Sequence, residues 1–140
     1  MVAPKSAFAR TAEEQDKTYH VISFSQALAS ISDADVLTNY PLDFAGKVHA
    51  LRVITTTLAS TADKATTLTV DINATAVAGI SAALTTANQG TEGVVLESTA
   101  TAASSTREFT AADTISVVAA STTAFIEGVA TIQLVLEREG

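Results

Sequence analysis

Two histidines, His20 and His49, are the side chains best suited to general acid–base chemistry in this chain of 140 residues. Each lies alone in a stretch whose apolar residues alternate as in a β-strand, so a place in a sheet explains it better than catalysis. The chain has no cysteine and no Gly-x-Ser-x-Gly motif, so neither a thiolate nor a serine on a sharp turn is available as a nucleophile. We therefore predict that the protein is not an enzyme and binds no cofactor.

Asp33 and Asp35 are the carboxylates whose spacing could hold a cation. Calcium takes roughly six to eight oxygen ligands from a shaped loop, and a turn or cap role explains two aspartates at this spacing better. The sequence Asn73-Ala74-Thr75 matches a glycosylation site. We expect this match to be accidental, because residues 1–17 carry charges where a secretory signal would need an apolar segment. No metal site is predicted.

The overall charge and composition exclude several kinds of partner. The formal charge is -7 with only eight basic residues, which excludes a nucleic-acid-binding surface. No apolar run is long enough for a membrane-spanning helix. The chain has no tryptophan and two tyrosines, so it offers few of the aromatic rings that usually stack against bound sugars. Charged residues make up 16% of the chain, against about 25% in ordinary domains, which suits a surface packed on another protein or a flat solvated sheet.

Alternating apolar residues and turn signals predict an all-β sandwich of about eight strands from residue 19 onward. The stretch 20–30 is predicted as a strand, with a short helix over 25–34 as the alternative. Pro41 indicates that the strand at 37–42 is either an edge strand or one that ends in a turn. The remaining predicted strands cover 47–57, 67–73, 80–85, 94–99, 114–119 and 128–137.

The stretch 47–57 is the longest predicted strand. Simple alternation puts Val48, Ala50 and Ile54 on one face and Leu51 and Val53 on the other. Apolar residues on both faces predict a central strand, or one that a neighbouring subunit covers.

The stretch 67–73 has the cleanest alternation in the chain, and it predicts that the residues Leu68, Val70 and Ile72 point inward. Threonine runs at 55–57, 85–86 and 122–123 are predicted to face outward, where they would give a lightly charged surface suited to close packing.

Residues 1–18 differ from the sandwich predicted for residues 19–140, and we interpret them as an N-terminal arm. Lys5 and Arg10 make the first ten residues basic, and Phe8 is the one bulky apolar side chain that could anchor the arm. These three residues are the candidate contacts to a capsid or a neighbouring copy. A frayed chain end is the alternative interpretation.

Four segments give the chain a family resemblance: 45–57, 64–73, 108–117 and 125–136. Their sequences are AGKVHALRVITTT, KATTLTVDIN, EFTAADTISV and FIEGVATIQLVL. Together they resemble the small β-sandwich structural proteins of tailed-bacteriophage virions, especially capsid decoration (cement) proteins and the bases of head fibres. The resemblance covers about residues 36–140 and consists of turn-and-strand patterns, so no functional residue is carried over.

The resemblance implies a jelly-roll-like antiparallel sandwich, frequently trimeric, bound to the outside of a phage head. The expected partners are the major capsid protein and other copies of the chain, with neither nucleic acid nor membrane among them. The expected location is the outer surface of the virion capsid, after synthesis in the host cytoplasm. A receptor- or glycan-binding module of a fibre or tail is the alternative function.

The low charge and the two-sided strand at 47–57 predict a homo-oligomer, for which the resemblance favours a trimer. Light scattering after size exclusion should give a mass that is a multiple of 14.4 kDa. A strict monomer at every concentration would contradict self-association in solution and leave only assembly on the capsid lattice.

Overall fold

The computed structural model describes residues 18–139, which form ten β-strands and two single-turn 3-10 helices. The 3-10 helices cover Leu28–Ser30 and Ser105–Arg107. The strands are β1 (Thr18–Ala27), β2 (Asp35–Pro41), β3 (Gly46–Thr57), β4 (Ala65–Ile72), β5 (Thr75–Ala76), β6 (Ala82–Thr85), β7 (Val95–Thr99), β8 (Glu108–Phe109), β9 (Thr114–Thr123) and β10 (Val129–Arg138).

The strands form two antiparallel sheets. Sheet A has the order β1-β10-β3-β7, with β8 also paired to β3. Sheet B has the order β2-β9-β4-β5, with β6 also paired to β4. The predicted all-β sandwich is confirmed: strands β1 to β4 alternate between the two sheets, as do β9 and β10. Within residues 18–139 no helix has the length and apolar character needed to cross a bilayer.

The core lies between the two sheets and is built from alternate residues of the inner strands. Along β4, the exposure pattern puts Leu68, Val70 and Ile72 in the core, as predicted. β9 and β10 contribute in the same way. Their core residues are Ile115, Val117 and Ala119 from β9 and Ala130, Ile132, Leu134 and Leu136 from β10.

β3 is a central strand, as predicted, but its two faces were assigned incorrectly. Its pairing with β10 shifts register at His49: Val48 pairs with Leu136 and Ala50 pairs with Val135. This β-bulge places one extra residue on β3 and reverses the alternation beyond it. Val48, Leu51 and Val53 therefore all enter the core. Because these apolar residues share one face, β3 needs no neighbouring subunit to cover Leu51 and Val53.

Several boundaries also differ from the prediction. β1 begins at Thr18, the last residue of the predicted arm, and ends at Ala27, where the 3-10 helix replaces both the longer strand and the alternative α-helix. The turn predicted at 121–124 is wrong for residues 121–123, which continue β9. Ser121 has a φ of 54° within this strand. The two-residue strands β5 and β8 are too short to produce an alternating pattern.

The inward position of Val70 gives a sharp test of the register. Val70→Asp buries an unpaired charge and should destabilise the fold by about 4 kcal/mol or more, which prevents folding. Thr69→Asp changes the neighbouring side chain on the opposite face of β4 and should cost about 1 kcal/mol or less. Chemical denaturation of both variants checks this. Greater damage from Thr69→Asp would mean that the register is off by one residue.

Candidate interaction surfaces

The two histidines lie on opposite faces of sheet A. His20 packs edge-on against Phe44 at 5.2 Å between ring centres, on the inner side. His49, in the bulge of β3, contacts Tyr19 on the outer face, and its Nδ1 lies 3.6 Å from a Glu137 oxygen. That carboxylate is also 3.5 Å from Arg107. Neither histidine has a serine or threonine hydroxyl among these contacts, and residues 18–139 contain no cluster of three potential metal ligands.

A cleft of about 370 Å³ opens between β1 and β2, where the two sheets part. Phe44 organises it, because its ring contacts both His20 and Phe109 and lies 5.0 Å from the guanidinium carbon of Arg138. Tyr40 from β2 lines the same cleft and is 40% exposed. The cleft lies beside the start of β1, which contributes His20 and Ile22 to its lining.

The outer faces of the two sheets differ in chemistry. Sheet A carries three large apolar side chains that are nearly half exposed, Tyr19, Val21 and Val95, together with ionic side chains. Sheet B carries mainly small side chains. By register its outer face includes Thr67, Thr69, Ala83, Val118 and Ala120.

An acidic pair lies at one side of the outer face of sheet B. Partial burial raises the pKa of Asp71, and the nearby charge of Asp35 raises it further. Asp35 therefore belongs to this pair, whereas Asp33 accepts a hydrogen bond from the Thr122 amide. Asp33 lies in the bend that precedes β2, whereas Asp35, the other aspartate of the predicted turn, is the first residue of β2.

Several threonines predicted to face outward instead hold the fold together, and this corrects the prediction. Thr55 is buried, since the bulge directs it inward, and it donates a hydrogen bond to the buried Gln89 at 3.0 Å. Thr86 donates to the Thr61 carbonyl and accepts from the Lys64 amide. Thr56, Thr57 and Thr123 are exposed, as predicted.

Three carboxylates, those of Asp33, Asp113 and Glu127, accept hydrogen bonds that hold the loops at the two ends of the sandwich. Glu127 accepts hydrogen bonds from the hydroxyl and amide of Thr61, and these lower its pKa. Asp113 accepts from the Thr110 amide at 2.7 Å and from Asn73, and its pKa is likewise lowered. The hydroxyl and amide of Thr122 lower the pKa of Asp33.

The candidate contacts Lys5, Phe8 and Arg10 lie outside the described residues. Sequence reasoning also missed the cleft, because its lining residues come from three distant parts of the chain. One signal was present in the sequence: β1, which forms one wall of the cleft, has no Asp, Glu, Lys or Arg among its ten residues.

The carboxylates of Asp33, Asp113 and Glu127, which accept hydrogen bonds in the loops, predict that the protein loses stability in acid. Each has a folded-state pKa below its ordinary value. Its contribution is therefore complete above about pH 5 and is lost as the pH falls through the folded-state pKa, below about pH 4. The melting temperature should fall in that range. Asp113→Asn should lower the melting temperature at pH 7 and reduce its fall in acid.

Glu92→Gln is the control for Asp113→Asn, because it removes the same charge from an exposed loop position. Thermal melts between about pH 7 and pH 2.5 compare the two variants with the unmodified protein. An Asp113→Asn protein with an unchanged melting temperature at every pH would contradict the stabilising role of these hydrogen bonds.

The sequence matches no protein-family model and no curated protein. Among solved structures, a chain of the cyanophage Pam1 capsid asymmetric unit has a similar fold, with a TM-score of 0.54 and 20% sequence identity. The alignment covers 99% of each chain. At this identity the likeness shows a shared fold, and the fold is shared over the whole length of both chains.

Proposed function

We propose that this protein is a non-enzymatic structural component of a bacteriophage virion. More specifically, it is a capsid decoration (cement) protein that binds the outer surface of the phage head and stabilises it. The observation that carries the proposal is the full-length likeness in fold to a chain of a cyanophage capsid structure. The resemblance of segments 45–57, 64–73, 108–117 and 125–136 to phage decoration proteins points to the same role.

The described surface is consistent with a binding role. The described contacts of His20 and His49 include no nucleophilic side chain, and the side chains of residues 18–139 include no metal-binding cluster. The outer face of sheet B is formed mainly by small side chains such as Thr67 and Ala120, which another protein surface can approach closely. Such a face loses little side-chain entropy on contact, because short side chains have few rotamers to lose.

The proposed partners are the major capsid protein and further copies of this chain, with a trimer as the assembly that the resemblance favours. The proposed location is the outer capsid surface, after synthesis in the host cytoplasm. In this arrangement Lys5, Phe8 and Arg10 contact the capsid or a neighbouring copy. The basic start of the chain would complement an acidic surface, and Phe8 would supply apolar contact.

Removing the N-terminal segment tests this proposal. The described core begins at Ile22, so deleting residues 2–17 should leave the sandwich folded and shift its melting temperature by no more than about 3 °C. The same deletion should weaken binding to undecorated phage heads. The measurements are cosedimentation with purified heads and thermal melts of both proteins.

A substitution separates the contact residues from the length of the segment. The triple variant Lys5→Ala, Phe8→Ala and Arg10→Ala should bind heads as weakly as the deletion does. The triple variant Ser6→Ala, Thr11→Ala and Gln15→Ala is the matched control and should bind normally. Equal binding by the full chain and the deletion would remove the proposed role of the segment, and no binding by either would contradict decoration.

A receptor- or glycan-binding module of a fibre or tail is the second candidate. The observation that favours it is the cleft with the part-exposed Tyr40 beside Asp43 and Arg138. Absence of head binding, combined with saturable binding to host cells, would support this alternative over decoration.

A further inference from the structure

We propose that the open edge of β1 pairs with β1 of a second copy of this chain. The two strands run antiparallel across a two-fold axis and join the two copies of sheet A into one continuous sheet. The inference does not depend on the proposed function, since it rests on the chemistry of one sheet edge.

β1 has the properties of a strand that pairs on both sides. Its ten residues pair with β10 in a register without shifts, from Thr18 opposite Arg138 to Ala27 opposite Val129. Within residues 18–139 no strand pairs with its other side, so half of its backbone groups face that open edge. Its sequence, TYHVISFSQA, contains no Asp, Glu, Lys, Arg, Gly or Pro to interrupt a further strand.

The other edges of the sandwich carry the features that normally prevent edge-to-edge pairing. β2 ends at Pro41, contains Asn39 at a φ of 46°, and shifts register twice against β9. β7 has five residues and carries Glu97. β5 and β6 have two and four residues. Among the described strands, β1 alone is long, regular and without such protection.

A second copy of β1 is the occupant that fits this edge best. Because β1 has no formally charged side chain, pairing it with itself brings no fixed like charges together. Tyr19 and Val21 project from the outer face and are 48% and 46% exposed, so the partner's strand would cover part of this apolar area. Two identical antiparallel strands also close the assembly under two-fold symmetry and leave no growing edge.

The alternation along β1 determines which of its side chains lie on the outer face, where they would meet those of the second copy. Ile22 pairs with the core residue Leu134, so its neighbours Val21 and Ser23 point to the outer face, as does Ser25. Ser23 and Ser25 are exposed and make no hydrogen bond with another described side chain. They lie in the central and later parts of the strand, where substitutions should disturb the contact and spare the core.

Adding charge to the edge is the first test. Ser23→Lys with Ser25→Lys brings four lysines to the contact and should weaken the dimer about tenfold or more. Ala83→Lys with Thr123→Lys adds the same charge to exposed positions of sheet B and should leave the dimer unchanged. Sedimentation equilibrium gives the dissociation constants, and circular dichroism establishes that both variants are folded.

Cysteine cross-linking is the second test, and the chain is suited to it because it has no cysteine of its own. The residue on the two-fold axis lies opposite its own copy, within disulfide distance. When that residue points inward, as residues 22 and 24 do, residues 21 and 23 or residues 23 and 25 lie opposite each other instead. Five variants therefore cover the possible registers: Val21→Cys, Ser23→Cys, Ser25→Cys, Val21→Cys with Ser23→Cys, and Ser23→Cys with Ser25→Cys. At least one of them should oxidise to a covalent dimer much faster than the control Thr123→Cys.

The oligomeric state separates this proposal from others. Two-fold pairing gives two copies or, combined with a trimer, six. A strict monomer, or a trimer unaffected by the lysines and not cross-linked at any of the three positions, would overturn it. Dimers that appear only after deletion of residues 2–17 would show that the chain's own N-terminal segment occupies the edge. If the lysines weakened only head binding, the edge would be assigned to the capsid protein. Either this result or the preceding one would contradict pairing of β1 with a second copy.

Discussion

The pairing of β3 with β10 is the contact on which the rest of sheet A depends. Both strands lie inside the sheet, so among the described strands β1 pairs with β10 alone, and β7 and β8 pair with β3 alone. The two strands place Leu51, Val53, Ile132 and Leu134 next to one another in the core, with none of these side chains exposed. At the start of β3, Gly46 lies so close to the Glu137 carbonyl that a Cβ atom would collide with it, so a side chain there would separate the strands.

The bulge at His49 explains why a regular pattern fails in the most buried strand. Two consecutive residues, His49 and Ala50, lie on the outer face, and this brings Val48 and Leu51 into the core together. A sequence pattern assumes strict alternation, so it assigns these two residues to opposite faces. The same shift turns Thr55 inward, where a hydrogen bond to Gln89 satisfies both polar groups. A β-bulge depends on the partner strand, and the sequence of β3 alone carries no sign of it.

Where a strand is regular and one face is buried, the sequence alone was sufficient to predict which residues enter the core. β4 and β10 alternate because their inner residues meet the opposite sheet while their outer residues do not. The candidate surfaces were harder to predict, because each is formed by residues from distant segments, such as His20, Phe44 and Arg138 around the cleft. Gln89 lies in a polar turn by sequence yet is fully buried, since it ties its loop to both Thr55 and Ala59.

The central place of β10 also has a consequence for biosynthesis. β10 is the last strand of the described chain, so β1 and β3 leave the ribosome well before the strand that joins them. Sheet A therefore cannot close during most of translation, and its long-range pairing makes folding slow in comparison with a domain built from local contacts. Throughout that interval the uncharged strand β1 has no partner from the described sheet. A nascent chain stalled before Val129 would consequently be a substrate for chaperones or for aggregation.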